Sequence, residues 1–166
     1  MRRRAVRSYG WNMKQQKYRI VPLATAVAEA ARRALASGAP DHALVTADSP
    51  SGYPCRHCLQ WAKVGEQMIL FTHAAVDSGP YQERGPIFIH AARCERYAQM
   101  ESYPAEFRSG RVIRAYDKRK FIIDARVVNG EGPEAAIDDL LQNLRVAFLH
   151  VRSVGYGCYT MAVERV

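Results

Sequence analysis

The sequence lacks the features that would place it in several large classes of protein. Among its 166 residues no run approaches 18 apolar residues, so no membrane-spanning helix is predicted. It contains no internal repeat and no low-complexity tract. With 48% hydrophobic and 24% charged residues, the composition is that of an ordinary globular domain. A chain of this length can bury a core without help from disulfide bonds.

Acidic residues are missing from the first 19 positions, which hold seven lysines and arginines. Removing these seven from the 24 basic residues of the chain leaves 17, against 16 acidic residues. The formal net charge of +8 therefore lies mainly in one segment. We predict a basic, disordered arm at residues 1–17 and a domain at residues 18–166. The arm could contact phosphates, but the rest of the chain lacks the basic face of a nucleic-acid-binding protein, so this partner is not favoured.

The segment after the arm has some features of a signal peptide. Residues 14–19 are basic and are followed by an apolar stretch, but that stretch is short and contains Pro22. It continues into EAARRALASG, which is typical of an amphipathic helix ending at Gly38. We therefore predict a cytoplasmic protein with reduced thiols and no membrane attachment.

Short apolar runs, bounded by glycine, proline, aspartate and serine, predict most of the secondary structure. Strands are expected at residues 42–47, 68–73, 86–92, 111–117, 120–128, 146–153 and 158–166. A second helix is expected in GEGPEAAIDDLLQNL, with Pro133 in its first turn and Leu144 at the end of its apolar stripe. Since strands mostly follow strands, the predicted fold is a single α+β domain. It has a largely antiparallel or mixed sheet of about 7–8 strands and two main helices.

Four residues have a spacing compatible with a tetrahedral zinc site. Cys55 and Cys58 form C-x2-C, and after 31 residues His90 and Cys94 form H-x3-C. A domain with this much core does not need metal to fold, so we predict no cofactor and keep zinc as an alternative. A redox pair lacks the surrounding βαβ pattern. The simplest interpretation is that all the cysteines are reduced, small and buried.

A second group of polar residues lies near the end of the chain. In a strand, Phe148, His150 and Arg152 share one face, and a glycine-containing turn follows them. Arg152 and Arg56 could form an anion site, with His150 as a general acid or base and Cys55 or Cys158 as a nucleophile. Alternatively, His150 is a hydrogen-bonded core residue and Arg152 pairs with an acid, Asp124 or Glu164.

Several segments together resemble the bacterial domain of unknown function 1203 family. They are GYPCR, SGPY, GPIFIH, RAYD, HVRS and GCY, followed by a closing Arg165, and the resemblance runs from about residue 18 to the end. It implies a compact domain but no activity. It draws attention to seven polar positions: Tyr53, Cys55, Arg56, Tyr81, His150, Arg152 and Tyr159. It also implies that a cysteine at position 58 is not required, which makes a C-x2-C metal site less favoured.

The leading functional hypothesis is a pocket that binds, and could act on, a small anionic ligand. In it Cys55 and His150 are the candidate catalytic residues. The candidate ligand-binding residues are Arg56, Arg152, Tyr53, Tyr81, Cys158 and Tyr159. Two alternatives stay open: a zinc-stabilised interaction module without catalysis, and a nucleic-acid adaptor that acts through the basic arm. The sequence does not decide whether the protein is an enzyme.

Overall fold

The computed structural model describes residues 18–130 and 132–166, so the predicted basic arm lies outside the described residues. Within these ranges the chain forms eight strands and two α-helices, which confirms the predicted α+β class. In chain order they are β1 (Tyr18–Val21), α1 (Thr25–Ala36), β2 (His42–Thr46), β3 (Gln67–Val76), β4 (Glu83–His90), β5 (Arg111–Tyr116), β6 (Ile122–Val128), α2 (Pro133–Gln142), β7 (Phe148–Ser153) and β8 (Tyr159–Arg165). Neither helix of the described chain is long and apolar enough to cross a membrane.

The strands form two sheets in which every neighbouring pair is antiparallel. The five-stranded sheet has the order β1-β8-β7-β5-β6, and the three-stranded sheet has the order β2-β3-β4. The strands predicted at residues 111–117 and 120–128 are β5 and β6, which form an antiparallel hairpin. Its turn forms because the Asp117 carboxylate accepts hydrogen bonds from the backbone amides of Arg119 and Phe121, both at 2.9 Å.

Each sheet buries its own apolar cluster with one helix. Helix α2 packs on the five-stranded sheet and contributes the fully buried Ile137 and Leu140. Helix α1 packs on the three-stranded sheet through two buried alanines, Ala28 and Ala31. Burying a side chain the size of Ile137 contributes about 1.5–3 kcal/mol relative to leaving it exposed. The two clusters together make up the core of the domain.

Two elements differ from the sequence-based expectation. Leu144 does not belong to the buried stripe of α2, because the helix ends at Gln142, and the Leu144 residue is 88% exposed. The strand β1 was not predicted as a separate element, because its four residues merge in the sequence with the apolar start of α1. Pro22 separates them, and β1 pairs with β8 at the edge of the sheet.

Two long irregular connections carry three of the four cysteines. Residues 47–66 join β2 to β3, and residues 91–110 join β4 to β5 with one short 3-10 turn. The first connection runs beside β4, because the Arg56 amide donates to the Phe88 carbonyl at 3.0 Å. The Tyr97 amide donates to the His57 carbonyl at 3.0 Å and ties the second connection to the first. These backbone hydrogen bonds bring distant cysteines into one region.

Candidate functional site

Four metal-binding side chains converge where the two long connections meet the end of β4. They are Cys55, Cys58, His90 and Cys94, and their ligand atoms all lie within 4.8 Å of one another. Cys55 is fully buried, whereas the other three side chains are partly exposed. The alternative metal set predicted from the sequence is therefore brought together and could hold a metal ion such as zinc. The interpretation that every cysteine is simply buried fits Cys55 alone.

The distances in this cluster match the edges of a tetrahedral zinc site. The sulfur atoms of Cys55 and Cys94 are 3.9 Å apart, and Cys58 Sγ is 3.5 Å from His90 Nδ1. With zinc–sulfur bonds of about 2.3 Å and zinc–nitrogen bonds of about 2.0–2.1 Å, tetrahedral geometry requires edges of about 3.8 Å and about 3.6 Å. Two of the six edges thus already have the spacing that one ion would impose, and all four ligand atoms lie within 4.8 Å of one another.

The loop that carries the first two cysteines is closed by its own backbone. The Cys55 amide donates to the Gln60 carbonyl at 2.9 Å, and the Leu59 amide donates back to the Cys55 carbonyl at 3.0 Å. Leu59 has a φ of 55°, a left-handed conformation that is unfavourable for a residue with a large side chain. The buried Leu59 side chain holds this conformation in place. The tight turn directs both thiols to the same side.

Polar partners behind the ligands orient the cluster. His90 Nε2 lies 3.3 Å from the Glu66 carboxylate, so a proton on Nε2 leaves the Nδ1 lone pair facing the thiols. His57 lies behind Cys94, with Nδ1 3.3 Å from the sulfur and Nε2 2.9 Å from the Thr25 hydroxyl. When Cys94 is a thiolate, His57 Nδ1 donates to it. A carboxylate behind a histidine is a common arrangement around metal ligands.

Helix α1 fixes the segment that carries the other two ligands. The guanidinium of Arg32 donates to the carbonyls of His90, Ala91 and Ala92 at 3.0, 3.2 and 3.0 Å. These carbonyls lie in the turn that leads from His90 to Cys94. One arginine of the helix therefore supplies donors to three consecutive backbone carbonyls.

The electrostatics of the cluster favour a positive charge at its centre. Hydrogen bonds from Cys58 and Cys94 lower the pKa of the Cys55 thiol. The pKa of Cys58 is raised, because the Cys58 thiol keeps its proton to donate to the Cys55 thiolate. Contacts with Cys55 and Cys94 raise the pKa of His90 to about 10. Either a proton on His90 or a bound cation balances the thiolate charge.

A cleft of about 670 Å³ lies next to the cluster, between the two sheets. Its described lining is rich in aromatic rings, hydroxyls and guanidinium groups. It includes Asp48, Ser49, Ser51, Tyr53, Arg56, Trp61, Phe88, Arg111, Ser153, Tyr156, Cys158 and Thr160. Arg56 follows Cys55 directly, so one short loop supplies both a ligand of the cluster and a wall of the cleft.

Two buried arginines line this cleft. The Arg56 residue is 3% exposed, and its guanidinium donates to the carbonyls of Tyr159 at 2.8 Å and Pro54 at 2.7 Å. The Arg111 residue is 6% exposed, and its guanidinium carbon lies 4.9 Å from the Phe107 ring centre and 5.9 Å from that of Trp61. Burial lowers the pKa of both, that of Arg56 to about 10. Neither forms an ion pair with a described acid.

Arg111 was not among the residues predicted from the sequence. As the first residue of an apolar strand it resembles an ordinary solvated arginine, and its own sequence surroundings carry no further signal. The tertiary structure reveals its role, because the register of β5 and β7 places it opposite Ser153. The Arg111 Nε and the Ser153 Oγ are both buried without a hydrogen-bond partner among the described residues.

His150 and Arg152 occupy surroundings different from that of Arg56. Arg152 pairs with Glu83, which was not one of its two predicted partners, and donates to the Gly157 carbonyl at 2.6 Å. His150 packs among three rings with centroids 4.9 to 5.0 Å away, those of Tyr116, Phe148 and Tyr159. It borders a separate cavity of about 300 Å³. Burial and the nearby Arg152 lower the pKa of His150 to about 3, so the ring is neutral at pH 7.

The other predicted site residues are divided between the cleft and the surface. Tyr53 lines the cleft and donates its hydroxyl to Asp48 at 3.0 Å, and Cys158 lines it from the opposite side. Tyr159 is buried and offers its carbonyl to Arg56. Tyr81 is exposed and contacts the edge of Phe121. The cleft thus brings together Tyr53, Arg56 and Cys158, but not His150 or Arg152.

A family model described as "Protein of unknown function (DUF1203)" matches residues 52–165, which include all four residues of the candidate metal cluster. No curated protein and no solved structure matches the chain.

Proposed function

The chain belongs to the DUF1203 family, whose function is unknown, and we propose that it is a zinc-binding domain. The ligands in this proposal are the thiolates of Cys55, Cys58 and Cys94 and the Nδ1 atom of His90. The observation that carries the proposal is the convergence of these four atoms within 4.8 Å, with the Cys55–Cys94 and Cys58–His90 distances close to tetrahedral edges.

Three thiolates and one imidazole are a donor set that suits zinc. Structural zinc sites are four-coordinate and closed, whereas catalytic sites keep one position open for water. Four protein ligands favour a structural role here. The ion would cross-link the loop after β2, the end of β4 and the start of the connection to β5. The two connections lack regular strand pairing around the cluster.

This proposal gives Cys55 a role other than the predicted catalytic one. A thiolate bound in a closed zinc site is not free to attack a substrate, and His150 borders a cavity on a different part of the fold. Arg152 is neutralised by Glu83. We therefore assign no catalysis to Cys55 and His150. The predicted cytoplasmic location agrees with zinc binding, since thiols stay reduced there.

The test is elemental analysis of the purified protein, with variants of a cysteine inside and a cysteine outside the cluster. We expect about one zinc per chain in the wild type and a large loss in Cys94→Ala, because three ligands hold the ion less well than four. Cys158→Ser is the matched control, since its sulfur lies near the Tyr156 carbonyl and outside the cluster.

Cobalt(II) provides a second measurement on the same proteins. Bound at this site it should give thiolate-to-cobalt charge-transfer absorption and the intense visible bands of tetrahedral coordination. The proposal fails if the folded wild type contains no stoichiometric zinc and binds no cobalt. It also fails if Cys158→Ser loses as much metal as Cys94→Ala.

A further inference from the structure

The cleft between the two sheets contains positive charge that the described residues do not neutralise. Arg56 and Arg111 are both more than nine-tenths buried and neither reaches a carboxylate. Asp48 is the one acidic side chain among the described lining residues, and it accepts the Tyr53 hydroxyl instead. A buried charge is costly unless it is paired and hydrogen-bonded. Two such charges beside one cleft require a counter-charge from outside the described residues.

The unused donors of the cleft lie side by side. Arg111 and Ser153 are direct neighbours across β5 and β7, and the Nε of the first and the Oγ of the second have no partner in the described chain. Buried polar atoms are nearly always hydrogen-bonded in folded proteins. Both atoms are closed to solvent, so an oxygen atom in the cleft accepts from both only after the two side chains turn towards it.

The other lining residues indicate what kind of ligand carries this oxygen atom. Aromatic faces and edges of Tyr53, Trp61 and Phe88 surround the arginines, and the Ser51 and Thr160 hydroxyls add further polar contacts. The volume of about 670 Å³ is within the range of small-molecule sites, about 300–1,000 Å³. An inorganic ion would leave most of this space and the apolar surface unused.

We propose that the cleft binds a small organic anion that carries an aromatic or other planar group. Its carboxylate or phosphate accepts hydrogen bonds from the Arg111 guanidinium and from Ser153 Oγ, once these side chains turn towards the cleft, and is attracted by Arg56. Its planar part packs on the Trp61 side of the cleft. A guanidinium suits both anionic groups, because its donors match the spacing of their oxygens. This site is separate from the zinc proposal, since none of its binding residues is a metal ligand.

The fluorescence of Trp61 reports on this cleft. The chain contains two tryptophans, so Trp11→Phe leaves Trp61 as the only one, and titration of this protein measures binding. The probes are benzoate and phenyl phosphate, which distinguish a carboxylate from a phosphate, with benzamide as the neutral analogue. We expect at least one of the anions to bind at least about tenfold more tightly than benzamide, because its charge meets an unneutralised arginine.

Variants at the unpaired donors connect binding to these residues. Arg111→Met keeps the apolar stem over Phe107 and removes the charge, and we expect it to weaken binding of the anion at least about tenfold. Ser153→Ala should weaken it by a smaller factor. Arg145→Met, the same change at an exposed arginine outside the lining, is the control and should leave binding unchanged.

Stability separates a binding role of Arg111 from a purely structural one. If the guanidinium is kept for a ligand, Arg111→Met should melt at the same temperature as the wild type or higher, because an uncompensated buried charge has been removed. The proposal is overturned if benzamide binds as tightly as both anions, or if Arg111→Met binds them as the wild type does. It is also overturned if Arg111→Met is less stable than the wild type while both the Arg111→Met and the folded Ser153→Ala variants bind the anions as the wild type does. Zinc content measured on each variant keeps this result independent of the metal site.

Discussion

Buried basic side chains distinguish this protein at the level of single residues. Arg56, Arg111, His150 and Arg152 are all buried, yet they are stabilised in different ways. Arg152 forms an ion pair with a carboxylate, and Arg56 donates hydrogen bonds to two backbone carbonyls. Arg111 lies against two aromatic rings, and His150 is kept neutral by its lowered pKa. Each arrangement predicts a different response to substitution or pH.

The ion pair of Arg152 and Glu83 should be important for stability. The Arg152 side chain is 3% exposed, so Glu83→Gln would leave a buried charge without its counter-ion. We expect the free energy of unfolding in urea to fall by about 3 kcal/mol. Glu164→Gln removes the exposed partner of Arg19 and should cost less than about 1 kcal/mol. Equal losses in the two variants would show that Arg152 does not depend on Glu83.

His150 should make the protein sensitive to mild acid. The pKa of His150 is lowered from its ordinary value of 6.5 to about 3 by burial, so between these values the unfolded chain takes up a proton that the folded one does not. Stability due to this residue is therefore present above pH 6.5 and falls with decreasing pH, by at most about 1.4 kcal/mol per pH unit.

Replacing His150 by phenylalanine tests this pH dependence. His150→Phe keeps an aromatic ring among Tyr116, Phe148 and Tyr159 but cannot take up a proton. Urea unfolding at a series of pH values below 6.5 should give a shallower decline in stability than in the wild type. The zinc content of both proteins must be equal, because protons also compete for the metal ligands. An identical decline in the two proteins would contradict the assigned pKa.

At the level of elements, the two long connections depend on each other. Residues 47–66 and 91–110 are held by a few backbone hydrogen bonds, including those of the Arg56 and Tyr97 amides. The strands around them are held by longer antiparallel ladders. A metal ion at their junction would therefore stabilise the connections more than the sheets.

Hydrogen exchange after chelation measures this difference. Removing the metal should speed exchange of the Cys55, Arg56 and Tyr97 amides by more than about tenfold, which corresponds to about 1.4 kcal/mol of local stability. Amides of β5 and β7, such as those of Ile113 and Val151, serve as the internal control and should stay protected. Uniform acceleration throughout the chain, or none at all, would show that the ion does not act on the connections.

For the whole molecule, short apolar runs between turn residues were enough to predict seven of the eight strands, and apolar stripes predicted both helices. The strand β1 was missed because four residues are too few to show a clear sequence pattern. This edge strand is defined by its pairing with β8. The spacing of the cysteines and histidines identified the four residues that lie close together and could hold a metal ion. Whether they converge depends on the antiparallel pairing of β3 and β4, which places His90 opposite Met68. The place of Arg111 in the cleft likewise depends on the register of β5 and β7, which sets Arg111 opposite Ser153.

The pairing of β1 with β8 has a consequence for the order of folding. Arg19 and Glu164, which are opposite each other in this pair, are 145 positions apart in the sequence. Hairpins such as β5–β6 close short loops, but this contact must close almost the entire domain, and the entropic cost of closure grows with loop length. We therefore expect β1 to dock late. Until it does, β8 presents an unpaired edge, and this edge is where a partly folded chain is most exposed to joining another copy of itself.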